Sequence, residues 1–426
     1  MNSMDYFKGK KVTIVGLARS GIASANLLFD LGAKVKITDN LDNELMRLNA
    51  TKLNSKDIEV EFGKHSQKFI EGSDLLVVSP GVTNKSQAVF LAQKLGIPII
   101  SEVELGSMLC PARIIAVTGS SGKTTVTTLI GAVIRASGKM AFTCGNIGNP
   151  FCSEVAKVTD KDYVCLEISS FQLERIVKFK PYIAIMLNFS KNHLDRHKDM
   201  QEYLDAKKRI FLNQGKDDFL VLNNNDSILK SLAKEARSKV SFFSGDDNLN
   251  PNQAAVVAVA SILGIDEKIC LEVFSKFEGL EHRMEYVTQI NGVKFINDSK
   301  ATVAESTVWA INNIPSGVVL IAGGRDKGVD YGNIIEASAK KVKAAILIGE
   351  AKDKIARAIG GSLDVEMASS LKEAVIKAFN KASSGDSVLL SPMCSSFDMF
   401  SSYEDRGRAF KEIVYNLAKN AIVKSK

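Results

Sequence analysis

Thr118-Gly-Ser-Ser-Gly-Lys-Thr-Thr125 sets a lysine and two threonines directly after a glycine-rich turn, where an apolar run stops and an apolar-periodic helix opens. Those residue types in that order suit a nucleoside triphosphate. N–H groups at the helix start face phosphate oxygens, Lys123 adds a mobile positive charge, and the Thr124 hydroxyl is placed to ligate Mg2+. Gly119, Ser120, Ser121, Gly122 and Thr125 complete the loop. The common phosphate-loop pattern has a glycine where this chain has Val117, so the segment is a variant of that loop.

Further along, Glu167 interrupts the apolar stretch Cys165-Leu-Glu-Ile-Ser-Ser-Phe-Gln172 near its end. A carboxylate entering a strand core needs a cation, and beside a phosphate loop Mg2+ is favoured over a structural lysine. Leu187-Asn-Phe-Ser-Lys-Asn-His-Leu-Asp-Arg-His197 follows another apolar strand and holds two of the four histidines. His193, nearer the strand end, is the candidate for a metal or substrate contact, whereas His197 with Asp195 reads as a cap on the next helix. Within Tyr203-Leu-Asp-Ala-Lys-Lys-Arg-Ile210, spacing alone does not choose between Lys207 and Lys208.

The C-terminal third carries Asn297-Asp-Ser-Lys-Ala-Thr302, Ala322-Gly-Gly-Arg-Asp-Lys-Gly328 and Ser391-Pro-Met-Cys-Ser-Ser-Phe397, each directly after a strand. Asp298, Lys300, Thr302, Lys327 and Ser396 are therefore expected on a polar, partly cationic rim suited to an acidic substrate or to phosphates. At the other end, Val15-Gly-Leu-Ala-Arg-Ser-Gly21 resembles a dinucleotide fingerprint, but Ala18 stands where a second glycine is expected. That weakens NAD and leaves another phosphate ligand in view. Asp39 reads equally as a ribose contact or a turn residue. With Ser79-Pro-Gly81, the residues Gly16, Arg19, Ser20, Gly21 and Asp39 are expected to face one crevice beyond the strand ends.

The elements that must aim these loops are short apolar strands alternating with amphipathic helices, the pattern of an α/β chain with open, mostly parallel sheets. Three runs separate. Residues 1–106 hold strands near Lys11–Val15, Lys34–Thr38 and Leu75–Ser79, closing around Ile99–Met108. Residues 107–279 continue from Ile114 through Tyr163–Ile168, Ile183–Leu187 and Phe219–Leu222 to helical blocks Gln253–Leu263 and Asp266–Phe274. Residues 280–426 hold Val293–Asn297, Val318–Ala322, Ala344–Ile348 and Ser387–Ser391, then a last helix from about Met399 to Ala418. With 426 residues, 45% of them hydrophobic and 24% charged, two or three domains are expected.

No apolar run approaches the ~20 residues of a bilayer span, and the N-terminus shows no signal-peptide core, so a cytoplasmic location without membrane partner is expected. Six cysteines lack C-x-x-C spacing and read as reduced, buried residues. The excess of 55 basic over 48 acidic residues is spread along the chain, without a nucleic-acid-binding pattern. A monomer with no nucleic-acid partner is expected.

Taken in order, the phosphate loop, Gly145-Asn-Ile-Gly148, Glu167-Ile-Ser-Ser-Phe-Gln-Leu173, Asn192-His-Leu-Asp-Arg-His197, His282-Arg283, Asn297-Asp-Ser-Lys-Ala-Thr302 and Ser391-Pro-Met-Cys-Ser-Ser-Phe-Asp398 closely resemble the Mur ligases. The resemblance covers all three runs. It implies an N-terminal Rossmann-like domain for UDP, a central P-loop ATPase-like domain and a C-terminal Rossmann-like domain that closes over the site; Gly279, at the end of the second run, reads as the hinge. The implied activity uses ATP to phosphorylate the carboxylate of UDP-N-acetylmuramoyl-L-alanine, and the amine of D-glutamate then attacks the acyl phosphate. ADP and phosphate are released, in the cytoplasmic stage of peptidoglycan synthesis.

Residue by residue, the resemblance implies Lys123 on the β/γ-phosphates, Thr124 and Glu167 on one Mg2+, and His193 on a second. It selects Lys207 as the lysine that the family carbamylates with CO2, giving a further metal ligand. Asn146, Ser169 and Gln172 match muramoyl contacts, and Asn250, Arg283 and Asp298 match the ATP-binding set. Thr302, Lys327, Ser396, Phe397 and Tyr403 fall where the family holds D-glutamate, and Lys300 falls on the phosphate side. Val303 and Asn40-Leu41 depart from the family pattern, the latter near the uracil.

Overall fold

The computed structural model describes residues 5–190, 197–277, 279–315, 317–326, 331–332, 341–359, 361 and 363–424. His193 and Lys327, both expected at the site, lie outside them. The chain forms two compact units, residues 1–277 and 278–426.

Two sheets belong to the first unit. One comprises β1 (Lys11–Val15), β2 (Lys34–Thr38), β3 (Glu59–Glu61), β4 (Leu75–Val78) and β5 (Ile99–Ser101), in the order β3-β2-β1-β4-β5. The other comprises β6 (Arg113–Thr118), β7 (Ala141–Gly145), β8 (Tyr163–Glu167), β9 (Ile183–Met186), β10 (Phe219–Asn223) and β11 (Lys239–Phe243), in the order β11-β10-β9-β6-β8-β7. Every pairing in both is parallel. The second unit carries β12 (Glu285–Ile290), β13 (Val293–Asn297), β14 (Val318–Gly323), β15 (Val342–Ile348), β16 (Asp364–Met367) and β17 (Ser387–Leu390), ordered β12-β13-β17-β14-β15-β16. Among the described strands there, only β12 runs antiparallel.

Strand position in the sheet explains which strands the sequence announces. β8 and β9 are buried along their whole length, as are β4 and β17, and parallel strands covered on both faces read as continuous apolar runs. Edge strands β3 (EVE), β11 (KVSFF) and β16 (DVEM) are mostly polar or half-exposed, so no apolar run marks them. The expected closing segment Ile99–Met108 resolves into a three-residue strand and the helix Glu102–Leu109.

The helix Lys123–Ala136 buries Val126, Leu129, Ile130, Val133 and Ile134, one face at helical spacing. They share a core with Ala255, Val256 and Val259 from the helix Pro251–Ile262. Each fully buried aliphatic side chain contributes roughly 1.5–3 kcal/mol, so this face fixes the helix start beneath the phosphate loop.

The helix Glu102–Leu109 fastens the first sheet to the second. Ser101 caps it through an acceptor bond from Glu104 N (3.2 Å). The buried Glu104 carboxylate in turn accepts from the backbone N–H groups of Val177 (2.9 Å), Lys178 (2.8 Å) and Phe179 (2.9 Å). Its neighbour Glu102 accepts from Cys152 N (2.7 Å), and burial pushes the Glu102 carboxyl up to about 7. Contact here is close: a Cβ on Gly106 would lie 2.6 Å from the Phe151 ring.

Glu104→Ala strands three N–H donors and is expected to lower the stability of the first unit by about 3 kcal/mol, with Glu104→Gln losing less because one acceptor survives. Urea unfolding followed by intrinsic fluorescence checks this.

Candidate active site

β6 delivers the chain to Thr118, after which the loop turns back into the helix Lys123–Ala136. Gly122 is the helix N-cap in the left-handed region (φ +78°), where an L side chain is strained. Space forbids one too, since a Cβ would lie 2.5 Å from Asn252 Oδ1. Asn188, at the end of β9, accepts from Ser120 N through its carbonyl (3.1 Å) and from Ser121 N through its side chain (2.8 Å). Two loop N–H groups are thus already held by protein, which leaves anion binding to the helix start. Lys123 folds back onto its own loop, donating to Gly119 O (2.9 Å) and Ser120 O (3.3 Å).

Glu167 ends β8 opposite Val117 of β6 and Gly145 of β7, with 1% of its surface exposed. Oε1 accepts from Asn146 Nδ2 (2.7 Å), while Oε2 is buried without a hydrogen-bond partner among the described residues. Such an oxygen costs about 1–3 kcal/mol, more when ionised, and a divalent cation would offset it. With Thr124 buried nearby on the loop helix, the donor set suits a hard cation.

Structure separates the two adjacent lysines. Lys207, 1% exposed, donates to Gly119 O (2.9 Å) and Thr118 Oγ1 (3.3 Å) and lies 4.7 Å from the Tyr203 ring centre. Burial, reinforced by the Lys123 charge and opposed by Glu167, holds its amine well below the ordinary lysine value. Lys208 instead pairs with Glu235 (2.5 Å) and Asp205 (3.8 Å) at the surface. Burial decides what spacing left open: Tyr203, Ala206, Lys207 and Ile210 are all buried on one side, and Lys208 is not.

His197 does not cap the following helix. Asp199 does, accepting from Glu202 N (2.9 Å), because its short carboxylate reaches the third N–H. His197 is buried, bonded through Nε2 to Ser170 Oγ (3.0 Å) and stacked on Phe171. Ser169 and Gln172 engage each other in a capping box (Ser169 N to Gln172 Oε1, 2.9 Å). Asn250 likewise caps the helix Pro251–Ile262, accepting from Asn252 N (3.0 Å) and Gln253 N (3.1 Å). Asn188 and Asn252, both against the phosphate loop, were missed; only the position of Asn188 after an apolar strand hinted at it.

In the N-terminal crevice, Asp39 Oδ2 accepts from Leu17 N (2.7 Å) and Oδ1 from Leu41 N (2.9 Å), so its carboxylate shapes the turn. Gly16 (φ +100°) packs so closely on Ser79 that a Cβ would lie 2.9 Å from its hydroxyl, and Ser79 Oγ donates to Gly16 O (3.2 Å). Arg19 donates to Gly148 O, and Ser20 O accepts from Ser24 Oγ (2.9 Å). A Cβ on Gly81 would meet open space.

The second unit gathers its polar loops at the ends of β13, β17 and β14, which are neighbours in the sheet. Asp298 accepts from Ser391 Oγ (2.9 Å) and Met284 N (3.2 Å), yet burial outweighs these bonds and the Arg283 charge, pushing its carboxyl up to about 7. Arg406, fully buried, donates to Ser299 Oγ (3.0 Å), Ser299 O (2.8 Å) and twice to Cys394 O (3.2 Å each), tying the Asp298–Thr302 loop to the Ser391–Phe397 loop. Lys300 Nζ lies 5.3 Å from the Tyr403 ring centre, and Ser299 Oγ donates to Tyr403 O (2.8 Å). Thr302 is half-buried, Ser396 buried and Phe397 exposed.

Three family patterns match in sequence: "Mur ligase MurD-like, N-terminal domain" over 10–101, "Mur ligase middle domain" over 117–286 and "Mur ligase, glutamate ligase domain" over 282–394. The UDP-N-acetylmuramoylalanine--D-glutamate ligase of Thermoanaerobacter pseudethanolicus is 40% identical over 450 residues, covering 96% of this chain and 99% of its own length. That of Chloroherpeton thalassium is 38% identical, with coverage of 96% and 99%. Among solved structures, the UDP-N-acetylmuramate-alanine ligase MurC of Thermotoga maritima shares the fold (TM-score 0.62, 18% identity, 95% of this chain and 99% of that one).

Two stability effects follow from the buried charges. In CO2-free buffer the unfolded state binds more protons at Lys207 than the folded state, so wild type is expected to gain stability relative to Lys207→Met as pH rises toward the ordinary lysine value of 10.5. Asp298 has the opposite sign: between its ordinary 3.8 and about 7 the folded state binds more protons, so stability falls as pH rises. Asp298→Asn should therefore melt above wild type at pH values over about 7, and the gap should narrow toward acid pH. Denaturant titrations across pH check both.

Proposed function

This chain belongs to the Mur ligase family, and from that premise we propose that it joins D-glutamate to UDP-N-acetylmuramoyl-L-alanine with ATP, as a cytoplasmic monomer serving peptidoglycan synthesis. Relatives bearing that activity in their names match across 96% of the chain at about 40% identity. The observation that carries the reading is the half-unpaired, buried Glu167 beside a phosphate loop and a buried, deprotonation-prone Lys207.

A carboxylate is a poor electrophile, so the substrate's carboxylate oxygen attacks the γ-phosphorus and the bond to ADP breaks. The D-glutamate amine then attacks the acyl carbonyl, loses a proton, and phosphate leaves. For the first step Lys123 exchanges its two loop carbonyl contacts for the β/γ-phosphates, aided by the N–H groups of the helix start, with Gly119, Ser120, Ser121 and Thr125 shaping the loop around them. Thr124 and Glu167 would hold one Mg2+, with His193 and a carbamate on Lys207 at a second; when bound, the ions offset repulsion among the assembled oxygens. Carbamylation forms an N–C bond from a neutral amine to CO2 with loss of a proton, and the lowered basicity of Lys207 supports it.

We assign Asn146, Ser169 and Gln172 to the muramoyl group, and Gly16, Arg19, Ser20, Ser79 and Gly81 to UDP with Asp39 shaping the turn. Asn250, Arg283 and Asp298 are assigned to ATP and Lys300 to the transferred phosphate. Lys327 and Ser396 would hold the D-glutamate side-chain carboxylate, with Thr302, Phe397 and Tyr403 around it. The domains divide near residues 106 and 279.

Phosphate release is expected only when UDP-N-acetylmuramoyl-L-alanine, D-glutamate, ATP and Mg2+ are all present, with Lys123→Ala lowering kcat by about 10²-fold or more. Coupled phosphate assay and mass spectrometry of the amide check this; much faster turnover with another amino acid overturns the assignment.

A further inference from the structure

We propose that Glu154 is a positioning residue for the metal site: through Asn149 it fixes the 145–149 loop, whose Asn146 holds one oxygen of Glu167 and leaves the other open to a cation. This deepens the reading of activity above and rests on its assignment of Glu167 to a divalent ion.

A carboxylate that must receive a divalent ion works best when its rotation is already arrested, since freedom it keeps when empty is lost on binding. Glu167 is arrested from one side. Asn146 Nδ2 donates to its Oε1 (2.7 Å) and Asn146 N to its main-chain carbonyl (2.9 Å), while Oε2 has no hydrogen-bond partner among the described residues. Asn146 itself is exposed, so its place depends on how the ends of its loop are held.

The loop is closed at its base. Gly145 N donates to Asn149 O (2.9 Å), and Gly145 (φ +104°) lies so near β8 that a Cβ would fall 2.3 Å from Glu167 O. The Asn149 side chain is held in turn: Nδ2 donates to Glu154 Oε1 at 2.6 Å, a charge-assisted bond. Glu154 has a firm footing. It ends the helix Phe151–Glu154, whose Cys152 N donates to Glu102 Oε1 (2.7 Å) and whose Phe151 ring packs on Gly106. Lys157 Nζ donates to both Glu154 oxygens (3.1 Å each) from a largely exposed side chain, whereas Glu154 is only 7% exposed. A plain surface ion pair leaves both partners in water; this carboxylate is turned inward onto Asn149. Arg19 also donates to Gly148 O, so loss of Glu154 loosens the loop without releasing it, and a moderate effect is expected.

The test uses the full chain with a non-hydrolysable ATP analogue and Mn2+ as the probe, free ion being read by electron paramagnetic resonance without turnover. Glu154→Leu and Asn149→Ala are each expected to weaken Mn2+ binding about fivefold, with no further loss when combined. Glu154→Gln keeps an acceptor for Asn149 and should stay within about twofold of wild type. Amide hydrogen exchange over residues 145–149 should quicken in the first two variants and not in Glu154→Gln. A merely structural Glu154–Lys157 pair gives another pattern. Glu154→Gln as weak as Glu154→Leu, or Asn149→Ala unchanged from wild type, at matched melting temperatures, overturns the inference. Asn149 is exposed, so Asn149→Ala decides alone if Glu154→Leu does not fold. Wild type that binds no Mn2+ with the analogue overturns the assignment of Glu167 and this inference together, while wild-type phosphate release with D-glutamate tests the activity reading separately.

Discussion

Glu167 and Lys207 lie beneath the same phosphate loop, both almost wholly buried, and no ion pair joins them among the described residues. Opposite charges this deep in a protein usually meet, because each alone is costly to desolvate. Here, among the described residues, one carboxylate oxygen stays unpartnered and the Lys207 amine, its basicity lowered by burial, donates to a carbonyl and a hydroxyl. The surrounding packing sustains that unfavourable arrangement, and a site prepared for cations and phosphates explains why it is kept.

Supporting it is a division of labour between rigid sheets and polar loops. Parallel strands bring glycine-rich and serine-rich turns to their carboxyl ends, while helices such as Lys123–Ala136 pack the opposite faces. Asn188 holds the phosphate loop by hydrogen bonds, Asn252 packs against its Gly122, and Glu104 grips the 177–179 turn, so loop geometry is set by contacts far apart in sequence. In the second unit Asp298 sits under a similar strain, its carboxyl raised by burial despite two donors.

Much of this could be read from residue order. The phosphate loop, Glu167 and the loops after β13, β14 and β17 announce themselves because polar, glycine-rich turns break continuous apolar runs. Spacing left Lys207 and Lys208 open and only the family resemblance chose between them, because burial and proximity to Lys123, which lower the basicity of Lys207, need coordinates. Asp39 was even-handed on paper and proves to bind two backbone N–H groups, whereas His197 and Asp199 compete for a cap that only reach decides. Edge strands β3 and β16 left no trace because solvent on their flanks removes the need for apolar residues.

Arg406 holds its two loops mainly through the carbonyls of Ser299 and Cys394. Main-chain acceptors persist whatever side chain stands at those positions, so drift at 299 or 394 erodes the fastening only partly, through the single hydroxyl contact. Loop spacing is inherited from backbone course rather than from residue identity. Both side chains are nonetheless wholly buried, so a library seeking new amino-acid preferences can vary those two positions only among residues of similar volume, with the guanidinium left in place.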